Sequence, residues 1–224
     1  MLQDLILFVS SKEKKLVTLH EYVERMGEGQ KYIYYACGDT PDKIEKLPQT
    51  EAVRDHGFEI LYLTDDVDEF ALQMLHSFED KEFKSVSAGD LGFEDEKKAD
   101  EEADKENEPL LAALQKALDG KVKSVKVSTR LKTHPVCLSS EGALSIEMEK
   151  VLSSMPNAGG MKAQRVLELN ATHPIFAKLQ TLQKDGDEEK LSEYAKLLYD
   201  QALLIEGLPV EDPVAFSARI CALM

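Results

Sequence analysis

Few residues in this chain have the types and spacing that chemistry needs. Asp65, Asp66, Asp68 and Glu69 put four carboxylates into five residues, dense enough to suggest a divalent cation. The run lacks the twelve-residue spacing of a calcium loop. It precedes an apolar-periodic stretch and reads as a helix start, where carboxylates meet the positive end of the helix dipole. His20, His56, His76, His134 and His173 are scattered, and none stands at ligand spacing from a cysteine or carboxylate. His173 precedes Pro174 and reads as a turn or cap. Cys37, Cys137 and Cys221 are odd in number and far apart, with no C-x-x-C, as in a cytosolic protein with reduced thiols. Cys37 closes an apolar strand and reads as a small core residue. Neither phosphate-loop pattern, G-x-G-x-x-G or G-x-x-x-x-G-K-[ST], occurs, and Asn157-Ala158-Gly159-Gly160 reads as a turn. The residues therefore supply no catalytic, cofactor-binding or metal site. The expectation is a chain that is not an enzyme.

What remains is recognition through apolar surface. In ALSIEMEKVLSSM, Leu144, Met148, Val151, Leu152 and Met155 make one stripe at helical spacing. Either it packs on its own sheet or it forms an adaptable binding surface, to which methionine is suited. The helix near 189–207 carries two stripes, one of Leu191, Tyr194, Leu198 and Ile205 and one of Leu197, Leu204 and Leu208. One stripe covers a domain's own core, and the second needs another partner. Phe216, Ile220 and Leu223 give the last helix one apolar face. A second copy of the chain, related by a two-fold axis, would cover the surplus. The expected interface is Leu191, Tyr194, Leu197, Leu198, Ile205, Phe216, Ile220 and Leu223.

These surfaces need elements to hold them. LVTLHEYVERM, residues 16–26, has helical spacing; KYIYYACG and FEILYLT read as buried strands. TPDKIEKLPQTEAVRDHG gives one or two short helices with Thr40 and Thr50 as N-caps and Gly57 as the stop. VDEFALQMLHSFED reads as a helix capped by Thr64 or Asp65, and KEFKSVS as a third strand. Alternation of this length implies a small α/β layer with a parallel pair. Residues 93–108 hold nine carboxylates and three lysines, a partly helical acidic connector. Beyond it, LLAALQKALDG is a helix stopped by Gly120. SVKVSTRL and PVCLSS are strands joined by a turn at KTHP. ALSIEMEKVLSSM is a helix ended by PNAGG, QRVLELN a strand, HPIFAKLQTLQ a helix and DGDEEK a turn. Two helices close the chain, linked by LPVED, with Pro213 in a first turn. The fold class is α+β: a small α/β subdomain at 1–92, the connector at 93–108, and an α+β dimerisation domain at 109–224.

The net charge of -15 disfavours binding to nucleic acid or to an anionic membrane. No apolar run approaches the ~20 residues of a bilayer span. MLQDLILFVSS opens in mid-pattern, as a segment of something longer would.

Five motifs in order, KYIYYACG, GFEILYLTDDVDEFALQML, STRLKTHP, RVLELNATHPI and LLYDQALLIEGLPVEDPVAFSARI, resemble the heat-shock protein 90 molecular chaperones of bacterial type, over essentially the whole chain. Ala171 departs from the proline common in the family's N-P-x-H-P turn. The resemblance implies a cytoplasmic, homodimeric, ATP-dependent chaperone of the stress response. It implies that this chain is the end of the middle domain plus the C-terminal dimerisation domain. ATP and Mg would belong to the full-length parent, with no cofactor in this fragment and no ATP hydrolysis by it. It also implies contact with unfolded or partly folded client proteins through Phe70, Leu144, Met148, Val151 and Leu152. The alternative reading is a small cytosolic α/β enzyme, or a scaffold, dimerising through the C-terminal helices.

Overall fold

The computed structural model describes residues 2–155 and 160–223. The turn expected at PNAGG falls, for residues 156–159, outside them. In chain order the elements are β1 (Leu7–Ser10), β2 (Leu16–Thr18), α1 (Leu19–Glu24), β3 (Tyr32–Cys37), α2 (Pro41–Ile44), α3 (Glu51–Asp55), β4 (Ile60–Leu63), α4 (Asp68–Leu75), β5 (Ser77–Phe78) and β6 (Lys81–Ser85). There follow α5 (Glu94–Glu106), α6 (Glu108–Ala117), β7 (Ser124–Val127), β8 (Val136–Glu141), α7 (Ile146–Ser154), β9 (Gln164–Leu169), α8 (Pro174–Asp185), α9 (Glu188–Ile205) and α10 (Pro213–Leu223). The mixture of helices and sheets is the α+β class expected.

Two compact units form. The first holds residues 1–92 and 141–163, the second residues 93–140 and 164–224. The helix α7, expected in the second domain, therefore belongs with the first unit.

The first unit is built on a six-stranded sheet of order β2-β1-β4-β3-β6-β5. At its centre β3 runs parallel to β4 and to β6, with Tyr35 opposite Leu61 and Ile33 opposite Phe83. Strands β1, β2 and β5 add antiparallel edges. Strand β4 is buried along its whole length, as a strand covered on both faces must be, which explains its unbroken apolar run. Phe8, Val17, Leu19, Tyr22, Ile33, Tyr35, Leu61, Leu63, Leu72 and Phe78 pack as one core.

Three local readings need correction. Residues 16–18 are strand, not helix, because Leu7↔Thr18 and Val9↔Leu16 pair in register. The helix starts at Leu19 behind a capping box: the Thr18 side chain accepts from the Glu21 N–H, and the Glu21 carboxylate accepts from the Thr18 N–H. Thr50 does not cap α3; its hydroxyl donates to the Leu47 carbonyl at 2.7 Å. The helix α4 begins at Asp68 after Val67, without a side-chain cap, and stops at His76, whose φ is 61°. Its expected tail is instead the hairpin β5–β6. Glu79 and Asp80, at φ 46° and 61°, form its two-residue turn, and Phe78 is buried beneath it.

The second unit has a three-stranded sheet of order β7-β9-β8. Strands β7 and β8 are thus not neighbours, as a turn at KTHP suggests. Strand β9 takes the central place, parallel to β7, with Val125 opposite Leu167. Helices α6, α8 and α9 bury Leu110, Leu114, Phe176, Leu179, Leu191 and Leu198. The acidic stretch is a full thirteen-residue helix, α5, folded into this unit and burying none of its residues.

Candidate interaction surfaces

In the first unit α4 and α7 flank a polar contact. Glu69, only 3% exposed, accepts from the Tyr35 hydroxyl at 3.0 Å and from the Ser145 hydroxyl at 2.5 Å. The Ser145 oxygen also accepts from the Met148 N–H at 3.0 Å, so one hydroxyl caps α7 and ties it to α4. Burial raises the Glu69 carboxyl above its ordinary range, against the two hydrogen bonds that lower it. Burial likewise pushes the neighbouring Cys37 thiol well up, as an inert core thiol requires. Gln73 extends from α4 to the Ala143 carbonyl and the Met148 sulfur.

The apolar side chains here divide by face. Met148 and Val151 are each 7% exposed and packed inward. They are thus corrected as client contacts, since a helix seated on α4 turns these positions to its own unit. Leu144, Leu152 and Phe70 are half-buried. Three residues not singled out from the sequence by spacing add exposed surface: Val67 at 66%, Met74 at 82% and Met161. Val67, Phe70 and Met74 stand at i, i+3 and i+7, a signal the sequence does carry. Met155, from the original stripe, is exposed as well.

In the second unit the two stripes of α9 divide differently from their expected grouping. Leu191, Ala195, Leu198, Tyr199, Ala202 and Leu203 are buried within the unit. Leu191 and Leu198 are thus spent on its own core and are removed from the expected interface. Leu208 is buried too, its N–H bonded to the Leu203 carbonyl. Tyr194, Leu197 and Ile205 are half-buried and Leu204 is 51% exposed. At 100° per residue these four fall on one arc beside the buried one. Tyr194 and Ile205 therefore belong with Leu197 and Leu204.

The side chain of Arg219 ties helix α10 to α9. Arg219 donates from Nε to Glu193 and from Nη1 to Asp200, both at 2.8 Å. Asp212 accepts from the N–H groups of Val214 and Ala215 at the other end. Phe216 is left half-buried and Ile220 exposed. Leu223 closes the helix, and its side chain lies outside the described residues. A concavity beside this contact is lined by Lys121, Tyr199, Asp200, Glu211 and Arg219. Its Lys121 and Arg219 are held by carboxylates. The cleft of the first unit is lined by Asp39, Asp65, Asp66, Glu69 and Glu147. Neither donor set suits a triphosphate. Among the described residues no group of His, Cys, Asp and Glu is placed to hold a metal ion, and no helix is long and apolar enough to cross a membrane.

A family model described as Hsp90 protein matches residues 1–224. The chain is 59% identical over 223 residues to chaperone protein HtpG of Clostridium acetobutylicum, covering 100% of this chain and 36% of that protein. HtpG of Halalkalibacterium halodurans is 59% identical over 224 residues and that of Bacillus licheniformis 58% over 226, with the same coverage. The chain thus spans just over a third of the length of these curated relatives. The finer placement, at the end of the middle domain and in the dimerisation domain, is not given by these matches. One expectation is overturned. A fragment without the ATPase domain and without a phosphate loop is expected not to be an enzyme, and the match of the Hsp90 model to all 224 residues contradicts that expectation.

Proposed function

The chain belongs to the Hsp90 family, and on that premise we propose that it contributes two surfaces to a chaperone, one for non-native polypeptide and one for a second copy of itself. The observation that carries this reading is the second apolar arc of α9. Tyr194, Leu197, Leu204 and Ile205 stay partly or largely exposed beside a helix, α10, that presents Phe216 and Ile220. A helix that has already filled its own core gains nothing from a further run of large apolar side chains unless another surface covers them. A self-complementary pair of such helices closes with two-fold symmetry. The client surface is read from Val67, which precedes α4, from Phe70 and Met74 on it, and from Leu144 and Leu152 about α7. These are adaptable side chains on a strongly acidic, soluble body. The relatives' name, chaperone protein HtpG, supports the same reading. The whole protein is read as an ATP-dependent stress chaperone of the cytoplasm acting as a homodimer, with ATP and magnesium as its cofactors.

Sedimentation tests the association. Each buried side chain of this size contributes about 1.5–3 kcal/mol, so four or five per copy suffice for a pair at micromolar concentration. The chain should sediment at twice its mass at tens of micromolar. Ile220→Asp places two like charges in one seam and should give a folded monomer. A wild-type chain that sediments as a monomer at that concentration overturns the association surface. For the client surface, Leu144→Ser with Leu152→Ser should weaken binding of an unfolded model protein while leaving the melting transition near its wild-type position. Unchanged binding overturns it.

A further inference from the structure

The outer edge of β7 is not open to solvent in the way that an edge strand of a three-stranded sheet ordinarily is. The N–H of Ser128 turns inward to the Leu169 carbonyl of β9. Its neighbours turn outward, and each meets an aspartate of α5. The Val127 N–H donates to Asp104 Oδ1 at 2.6 Å, and the Thr129 N–H to Asp100 Oδ1 at 2.7 Å. The match is geometric. Four residues of helix rise about 6 Å, and two residues of strand about 6.7 Å. Aspartates at i and i+4 therefore reach alternate amides of an extended chain. The helix runs against the strand, Asp100 on Thr129 and Asp104 on Val127.

The helix brings almost no apolar burial to this contact. It buries no residue, and its apolar positions are two alanines, Ala99 and Ala103. It carries eight carboxylates and three lysines. The two amides lie within residues 121–132, KVKSVKVSTRLK, which hold five cations and no carboxylate; of these Arg130 is buried in a pair with Glu168 and Lys121 pairs with Glu211. Burial raises both aspartates above their ordinary range. Asp100 lies near Glu168 and Arg130, and Asp104 near Lys126, Glu168 and Glu101.

We propose that α5 is a removable guard over the edge of β7, and that this edge is a strand-addition site for an acidic, extended polypeptide segment. The guard acts as an internal mimic of the partner: carboxylates meet the outward amides, and negative charge meets a basic strand. When α5 lifts, the amides of Val127 and Thr129 become donors for the backbone of an incoming strand, and the cations of 121–132 favour acidic side chains on it. The proposal concerns a different unit and face from the client surface and stands independently of it.

The test uses the full chain, its Asp100→Ala, Asp104→Ala double variant, and two dye-labelled decapeptides, one alternating aspartate and valine, the other lysine and valine. In the variant, hydrogen-exchange protection of the Val127 and Thr129 amides should fall at least tenfold. The acidic peptide should bind the variant at least tenfold more tightly than wild type and restore that protection, while the lysine peptide does neither. Amides that stay protected, an acidic peptide that binds both chains alike, or equal binding of the two peptides would each overturn the proposal. Should the variant fail to fold, native-state exchange of the wild-type chain decides. Val127 and Thr129 must open while Leu167 and Leu169 stay protected; exchange of all four only on global unfolding sinks the guard.

Discussion

Replacing Ser145 by alanine removes three things at once. Its oxygen caps α7 by accepting from the Met148 N–H, its hydroxyl donates to Glu69, and through that bond it anchors α7 to α4. Loss of the cap costs about 1 kcal/mol. Loss of a hydrogen bond to a buried charged group costs about 1.5–3 kcal/mol. Tyr35 still donates to Glu69, so the carboxylate is weakened in its partners rather than stripped of them. The expected total is about 2–4 kcal/mol, a large share of the ~5–15 kcal/mol of an ordinary domain. The pH dependence gives a second reading. Burial holds the Glu69 carboxyl above its unfolded value. Its contribution is therefore complete below the unfolded value and is lost as pH rises through the folded one. Removing the Ser145 donor raises the folded value further and steepens that loss. Glu69→Gln, which keeps a neutral partner for both hydroxyls, should flatten it. Urea unfolding of the chain at pH 5 and pH 7, with the Met148 amide followed by hydrogen exchange, measures both effects. Ser145→Thr should retain most of the stability. Ser145→Asp, which keeps a cap but sets a carboxylate against Glu69, should do worse than alanine. A Ser145→Ala chain within 0.5 kcal/mol of wild type, the scatter of a featureless surface change at about that size, would refute the reasoning.

Arg219→Ala should loosen α10 and leave Asp200, 7% exposed, without its ion-pair partner, at a cost of about 3 kcal/mol; unchanged urea stability would show that the pair contributes nothing. Met148→Ser should lower stability by about 2–4 kcal/mol, because this side chain is buried against α4; a chain that melts normally while losing client affinity would return Met148 to the client surface. In a native thiol titration Cys221 should react quickly, while buried Cys137 and the pushed-up thiol of Cys37 wait for denaturant. Three fast thiols would contradict that burial.

Elements whose signals are local were legible from the residues alone. KYIYYAC and EILYL are strands because β-branched and aromatic side chains suit a sheet covered on both faces, and both occupy the centre of the first sheet. Thr40, Gly186 and Pro213 mark helix ends because capping and a positive φ are properties of one or two residues. The surplus of apolar positions on α9 was countable too. Their division was not: which arc is buried depends on where α6 and α8 lie, so Leu191 and Leu198 went inward while Tyr194 and Ile205 joined Leu197 and Leu204. Residues 16–18 turned to strand because β1 lay alongside, outweighing a helical spacing that starts in earnest only at Leu19. The tail of α4 became a hairpin because β6 needed a partner. Strand β9 separated β7 from β8, since register is a relation between distant segments and no spacing within either strand records it. The acidic stretch looked like a connector because it has nothing to bury. Only the folded second unit brought the amides of Val127 and Thr129 to the spacing of Asp104 and Asp100, and so made a docked helix of it.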